Sequence, residues 1–283
     1  MNAGFHVVSA SDYHADKLAD KPALSSSVAQ ILMRESARKA WFSHPRLNPA
    51  FKESRDDKFD IGTAAHAALL EGGIDKLVSV EADDWRTNKA KEEREAARAA
   101  GKTALLSRQI AGVAAMVAAA EAFIKDSEIA ASWQDAESEL TGLAYDEGVI
   151  LKARFDRITT DRKVIFDYKT TTDVEPEAFS RQIVRMGYHW QDAFYRCVAE
   201  LLGSEQPKFV FLAQSVEAPH ECSLHGCDPA LREIADADVE RAIVLWRRCM
   251  EKNDWPSYGG RIHWAMPTVW QMTEYEHRLQ EAA

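Results

Sequence analysis

Residues 152–169, KARFDRITTDRKVIFDYK, decide the fold. Two runs of alternating apolar and polar residues flank Thr160-Asp161-Arg162, the pattern of two antiparallel strands joined by a short turn. Asp156 falls near the end of the first strand. Asp167 and Lys169 are two apart on the second and so share a face. Two carboxylates and one ammonium then converge across neighbouring strands. Such a set can hold a divalent cation and steer water toward a phosphate. Magnesium takes hard oxygen ligands at about 2.1 Å in near-octahedral geometry and keeps several waters. The backbone carbonyl of Tyr168 is a further candidate ligand, and Lys169 can hold or deprotonate the attacking water. The same Asp-x-Lys triplet also describes a surface ion pair on a solvated strand.

The flanking segments bear on that choice. Upstream, FDIGTAAHAALLEGG (59–73) predicts a helix over 62–71, with Gly62-Thr63 at its start and Gly72-Gly73 as its stop. Its alanines permit close packing. His66 is the polar side chain at its middle, a core histidine on one reading and a metal-binding imidazole on the other. Downstream, Phe179, Ile183, Met186, Trp190, Phe194, Val198 and Leu201 step by three and four, so an amphipathic helix is expected over 177–202. Tyr188, Gln191 and Tyr195 share a face away from that stripe. They form either a polar flank or a ledge that stacks on and hydrogen-bonds to a nucleic acid.

Around this centre the chain predicts helices, then sheet, then helices. A helix is expected over 25–42, started by the serine run, and another over the alanine-rich 104–126. Strands are expected at 137–145, 149–158, 163–169 and 207–215, with PHECSLHG (219–226) as an edge. A last helix runs from Asp228-Pro229 to about Asn253. The tail from Trp255, with Trp264, Met266 and Trp270, has weak periodicity and predicts an irregular coat. WRTNKAKEEREAARAA (85–100) mixes both charges at helical spacing and reads as an exposed helix or arm. The whole is one α/β domain, 1–283, with a central mixed sheet. Its first 130 residues are mainly helical, 131–216 hold the catalytic sheet and helix, and 217–283 hold a hairpin, helix and coat.

Taken in order, the Gly-Thr-x-x-His helix, the Asp156-Arg157 strand, Asp167-Tyr168-Lys169-Thr170 and the Gln191-x-x-x-Tyr195 helix resemble the RecB-type branch of the PD-(D/E)XK nucleases. Within it the chain is similar to the exonuclease VIII (RecE-like) proteins of phages and prophages. YHWQDAFY (188–195), PKFVFLAQS (207–215), SSSVAQILMRESARKAWF (25–42) and WPSYGG (255–260) carry that likeness. The resemblance implies His66, Asp156 and Asp167 as metal ligands, Lys169 as the catalytic lysine, and Gln191 and Tyr195 as a DNA-facing pair. It adds Glu139 as a further metal or water ligand. The chain departs from the pattern at Thr159, where many RecB-type domains carry a second acid.

The implied activity is Mg²⁺-dependent (Mn²⁺ substituting) digestion of linear double-stranded DNA from its ends. The expected direction is 5′ to 3′, leaving 3′ tails for a single-strand annealing protein. A ring-like homo-oligomer is implied as well. The rival readings are an endonuclease of the same superfamily cutting structured or single-stranded DNA, a noncatalytic DNA-binding or recombination accessory protein, and a metal-dependent hydrolase of some other phosphoester.

Net charge is −10, from 45 acidic and 35 basic residues, which is unfavourable for binding phosphate backbones in general. A local field suffices in an enclosed channel. Arg34, Arg38 and Lys39, then Arg181 and Arg185, then Lys152 and Arg154 form the candidate basic clusters. Cys197, Cys222, Cys227 and Cys249 all follow Asp167. The iron–sulfur arrangement of some RecB-type nucleases, with one cysteine ahead of the core, is therefore not expected. His220, Cys222, His225 and Cys227 crowd one short stretch and are expected to be incidental rather than a zinc site. No run of eighteen apolar residues and no basic-then-apolar leader is evident, so a cytoplasmic protein with no membrane partner is expected.

Overall fold

The computed structural model describes residues 1–52, 61–70, 77–100 and 102–281. The strands are β1 (Gly4–Val7), β2 (Leu24–Ser25), β3 (Leu77–Val80), β4 (Thr103–Leu106), β5 (Ala136–Asp146), β6 (Val149–Thr159), β7 (Val164–Thr171), β8 (Lys208–Ser215) and β9 (Cys222–His225). The main sheet runs β1-β5-β6-β7-β8-β9, with β2 alongside β6, and β3 pairs with β4 in a small separate sheet. The sheet is mixed: β7 and β8 are parallel, whereas β5, β6 and β7 form an antiparallel meander. A parallel pair needs a long crossover. Helices α8 (Pro176–Met186) and α9 (Tyr188–Leu201) supply it; they are numbered after α1 (Ala10–His14), α2 (Ser26–Arg34), α3 (Ala37–Ser43), α4 (Ile61–Leu70), α5 (Asn88–Ala99), α6 (Ser107–Lys125) and α7 (Ala130–Gln134). Two more follow, α10 (Pro229–Lys252) and α11 (Val269–Glu281).

Both faces of the sheet are covered. On β8, Phe209, Phe211 and Ala213 enter one core with Leu32, Phe179, Phe194, Val198 and Trp246, while Leu212 enters the other with Ala65, Val113, Met116 and Ala120. Period-two alternation along a doubly covered strand produces this split. By length and composition α6 could cross a membrane. Its Val113, Met116, Val117, Ala120 and Ile124 are instead buried in the second core.

The β6–β7 turn forms as its sequence demands. The Thr159 hydroxyl accepts from Lys163 N at 3.1 Å and Val164 N at 3.0 Å, the Asp161 carboxylate also accepts from Lys163 N, and Arg162 takes φ +62°. Thr159 is therefore a turn residue. Beyond the turn the two strands pair only at Ile158–Ile165 and Arg157–Phe166 before they part.

Four expectations need correction. The helix expected over 25–42 is two helices, because Ser36 caps α3 by accepting from Lys39 N at 3.2 Å. The helix over 104–126 begins at Ser107, since residues 103–106 pair with β3. The helix over 177–202 breaks at Gly187, which sits at φ +75° and ends α8. The tail is not a coat: every residue from 256 to 281 is exposed, and 269–281 are helical. The proposed stop at Gly72-Gly73 lies outside the described residues.

Candidate metal centre

The strands separate at Asp156 and Asp167, the first residues past the last β6–β7 pair. Alternation on β6 also fails here. Phe155 and Ile158, three apart, both enter the first core, whereas Arg157 lies over Trp133 and Asp156 faces α4. Across from Asp156, Glu139 on β5 takes φ +57°, and the β5–β6 ladder skips that pair. A left-handed glutamate inside a strand is strained. Its effect is to turn Glu139 and Asp156 toward one place.

Five elements, α4, β5, β6, β7 and α9, deliver the polar groups. On α4, Ala64, Ala65 and Ala68 are buried, and this small-residue face allows His66 to approach the fork. Its Nε2 lies 3.1 Å from Asp156 Oδ2, and its ring packs 5.9 Å from that of Tyr168. The same Asp156 oxygen accepts from Tyr168 N at 2.8 Å, replacing a ladder bond lost at the fork. The Glu139 carboxylate takes Arg154 Nε at 2.5 Å. On β7, Lys169 Nζ lies 2.6 Å from Asp167 Oδ2, and Gln191 of α9 donates to Asp167 Oδ1 at 2.5 Å. Tyr188 presents its ring 4.9 Å from Lys169 Nζ.

Charge state follows from this crowding. Burial disfavours the charged imidazole of His66, but the carboxylates of Asp156, Glu139 and Asp167 outweigh it and raise its pKa. Burial also acts against the Asp156 carboxylate, yet His66, Lys169 and the Tyr168 amide hold it below its ordinary value. Asp167 is pushed up to about 6 by burial and the nearby Asp156, with Lys169 opposing. Glu139 is raised chiefly by burial, with Arg154 opposing. Burial would release the Lys169 proton, but Asp167 and Asp156 keep it, raising the pKa. The cluster is thus an excess of acid compensated by protons and two cationic side chains.

Donor atoms of His66, Glu139 and Asp156 all lie within 4.8 Å of one another. Two carboxylates and an imidazole converging on one point suit a hard or borderline divalent cation. The raised pKa of His66 fits the same view, because a cation would take the place of its proton. Asp167 stands one step aside, engaged by Lys169 and Gln191.

The structure brings His66, Glu139, Asp156, Asp167, Lys169, Tyr188 and Gln191 together and leaves other expected residues apart. Tyr195 is no stacking ledge. It is buried edge-on against Phe155 at 5.3 Å, because α9 is covered on both sides, by the sheet and by α10. Gln191 serves Asp167. Arg154 is committed to Glu139 and to the Val8 carbonyl, and Lys152 is buried with Asp16 at 2.8 Å. Arg185 is exposed near the end of α8, where its carbonyl accepts from Arg34. Tyr168 contributes its amide to the site, while its phenol donates to Gln214. Cys222 packs against the second core and Cys227 lies in the first, so the two thiols are on opposite sides of the sheet.

Sequence reasoning missed the Arg154–Glu139 pair, although Arg154 and Thr141 are direct cross-strand partners two residues from Glu139. It also missed a cavity of 670 Å³ that reaches from Gln191 and Tyr195 to Tyr13, Ser26 and His44. The serine run at 25–27 was the one hint of it in the sequence.

The sequence matches the family described as a PDDEXK-like domain of unknown function (DUF3799) over residues 33–266. Among curated proteins none matches the chain. A solved structure from Eubacterium rectale, whose given name proposes an exonuclease, is similar at TM-score 0.59 and 12% identity, covering 95% of this chain and 99% of that one. Fainter likenesses are to SSO0001 (TM-score 0.32, 11% identity, covering 84% of this chain and 87% of that one) and to an alkaline exonuclease, LHK-Exo, from Laribacter hongkongensis (TM-score 0.25, 13% identity, covering 68% and 100%). The first of these likenesses is one of fold.

Proposed function

Because the chain belongs to the PDDEXK-like domain family (DUF3799), we propose that it is a divalent-metal-dependent exodeoxyribonuclease acting on the ends of linear double-stranded DNA. The observation that carries the reading is the fork between β6 and β7. There His66 meets Asp156 at 3.1 Å on one branch and Lys169 meets Asp167 at 2.6 Å on the other. An acid-rich strand fork with one ammonium is suited to a phosphodiester, a substrate that brings its own negative charge.

His66, Glu139 and Asp156 would hold the cation, with Asp167 beside it as a third acid and the Tyr168 carbonyl as a further candidate ligand. When bound, Mg²⁺ or Mn²⁺ supplies Lewis-acid polarisation of a phosphate oxygen and acidifies water. The protein does the rest. Asp167 and Asp156 favour the charged form of Lys169, and its ammonium is placed to donate hydrogen bonds to the water or the phosphate. Gln191 fixes the Asp167 carboxylate through one oxygen and leaves the other to Lys169. Tyr188 lies against Lys169 and limits its swing. Arg154 holds Glu139 in its left-handed position.

In this proposal digestion proceeds from 5′ to 3′ and leaves 3′ single-stranded tails for an annealing protein in recombination. The resemblance to exonuclease VIII proteins supports that part. With cellular or phage DNA as substrate, the place of action is the cytoplasm. The test is end-labelled linear duplex with Mg²⁺, with and without a 5′-phosphate, beside a supercoiled plasmid. Release of the 5′ label alone with the plasmid intact is expected. Cleavage of closed circular duplex would overturn the exonuclease reading, and full activity in Lys169→Ala would overturn the site.

A further inference from the structure

Trp255, buried edge-on against Trp246 at 5.3 Å, and Pro256, whose carbonyl accepts from Arg38 N at 3.0 Å, root the C-terminal arm on α3. From Pro256 to Glu281 every residue is exposed. The arm changes character along its length. From Trp255 to Thr273 it carries no carboxylate, in a chain with 45 acidic residues, and Arg261 and His263 stand between Tyr258 and Trp264. Tyr258 is 67% exposed and Trp264 81%. Farther on, α11 carries Glu274, Glu276 and Glu281 against Arg278, with His277 beside them. Rings and cations without acids are thus confined to the half of the arm nearest its root.

The helix at that root repeats the pattern. Arg38 and Lys39 lie four and three residues before Phe42, so the three share one face of α3. All three are exposed, Phe42 at 58%. Arg38 is held over the ring of Trp41 at 5.3 Å, which gives its charge a fixed place. Glu35 is the one acid between Arg34 and Lys39, and Arg34 offsets it. The next residues, Ser43 and His44, line the 670 Å³ cavity that Gln191 also lines, and Gln191 holds Asp167 in the metal centre. At about 1.5 Å per residue, Arg38 stands roughly 8 Å along the helix from Ser43. Exposed rings and cations therefore alternate from the edge of that cavity, across α3, into the first half of the arm.

We infer that Arg38, Lys39 and Phe42 of α3 and Tyr258, Arg261 and Trp264 of the arm form a track for single-stranded DNA leading away from the metal centre. Flat exposed rings stack on unpaired bases, which a duplex offers only at its ends, and the cations between them meet phosphates. The missing carboxylates select a polyanion over a protein surface of mixed charge. A net charge of −10 is no obstacle, because the field along the track is local. The inference rests on the nuclease reading and adds to it the path of the unpaired strand.

The test is fluorescence anisotropy of a labelled oligothymidylate of about twenty nucleotides, longer than one binding site, with a blunt duplex of equal length as the comparison. The full chain is used in EDTA, so that no DNA is digested. Phe42→Ala and Trp264→Ala are each expected to weaken the single strand by about five- to a hundredfold, to move the duplex little and to leave the thermal melt unchanged, because both side chains are exposed. Arg38→Ala with Lys39→Ala should lower the slope of log K against log salt by about 1.4. No binding of oligothymidylate by the native chain overturns the inference, as does undiminished binding in both ring variants or an equal loss on the two ligands. Since binding is read without a cation, a chain that holds the strand but digests no DNA with Mg²⁺ sinks the nuclease reading alone and supports the track.

Discussion

The side-chain amide of Gln191 donates to one oxygen of the Asp167 carboxylate while Lys169 holds the other. A helix from the crossover thereby fixes an acid on the strand that precedes it. This makes Gln191 a positioning residue. Its removal frees a buried carboxylate, and hydrogen bonds to charged groups contribute about 1.5–3 kcal/mol. Gln191→Leu should lower kcat by roughly ten- to a hundredfold and raise the Mg²⁺ concentration at half-maximal rate. Gln191→Glu should cost more, because a second acid then faces Asp167. Titrating activity with Mg²⁺ in both variants separates these effects.

Lys169→Ala should reduce the rate of duplex digestion by about 10²–10³-fold, the loss expected for one donor aimed at developing charge. Binding of the cation should survive, since the donors of His66, Glu139 and Asp156 remain. Calorimetric Mn²⁺ titration beside a single-turnover assay checks both halves. Loss of binding with the lysine would show that it organises the acids rather than the phosphate.

Divalent cations should stabilise the fold through the same cluster. At a hundredfold excess over Kd the gain is about 2.7 kcal/mol, which for a chain of this size moves the melting temperature upward by roughly 4–5 °C. Mg²⁺ and Mn²⁺ should raise the melt of the native chain and leave that of His66→Ala or Asp156→Asn almost unmoved. Differential scanning fluorimetry with and without EDTA decides it.

Away from the site, Lys152 and Asp16 form a buried ion pair at 2.8 Å, Asp16 being 1% exposed, with His44 and Arg46 also at the aspartate. Asp16→Ala leaves an ammonium buried without its partner and should destabilise by about 3–5 kcal/mol. The pair of changes Asp16→Ala and Lys152→Met should cost clearly less than Asp16→Ala alone. Urea melts of the three chains measure the coupling.

The sheet was legible because its strands obey a period of two outside the break at Asp156. The runs around Asp156 and Asp167 gave both strands, their turn and the shared face of Asp167 and Lys169. His66 was legible because it is the polar side chain amid small ones. What failed depends on contacts distant in sequence. Helical spacing puts Tyr195 beside Tyr188 and Gln191, but only tertiary packing covers α9 on two sides and buries that phenol. Arg154 and Lys152 read as a basic patch because their acids, Glu139 and Asp16, lie far back in the chain. The break at Gly187 was visible as a glycine, yet the apolar stripe runs through it without a change of period. The left-handed backbone at Glu139 leaves no trace in the sequence at all.

That backbone sets two selective pressures against each other. At φ +57° a residue with a Cβ costs about 1–2 kcal/mol relative to glycine. Glycine at position 139 would relax β5 and harden the protein against heat, while removing one of the three donors that gather at the fork. Any search for sturdier variants of this chain that ignores activity should therefore drift toward an inert one, and this strand is where the drift should begin.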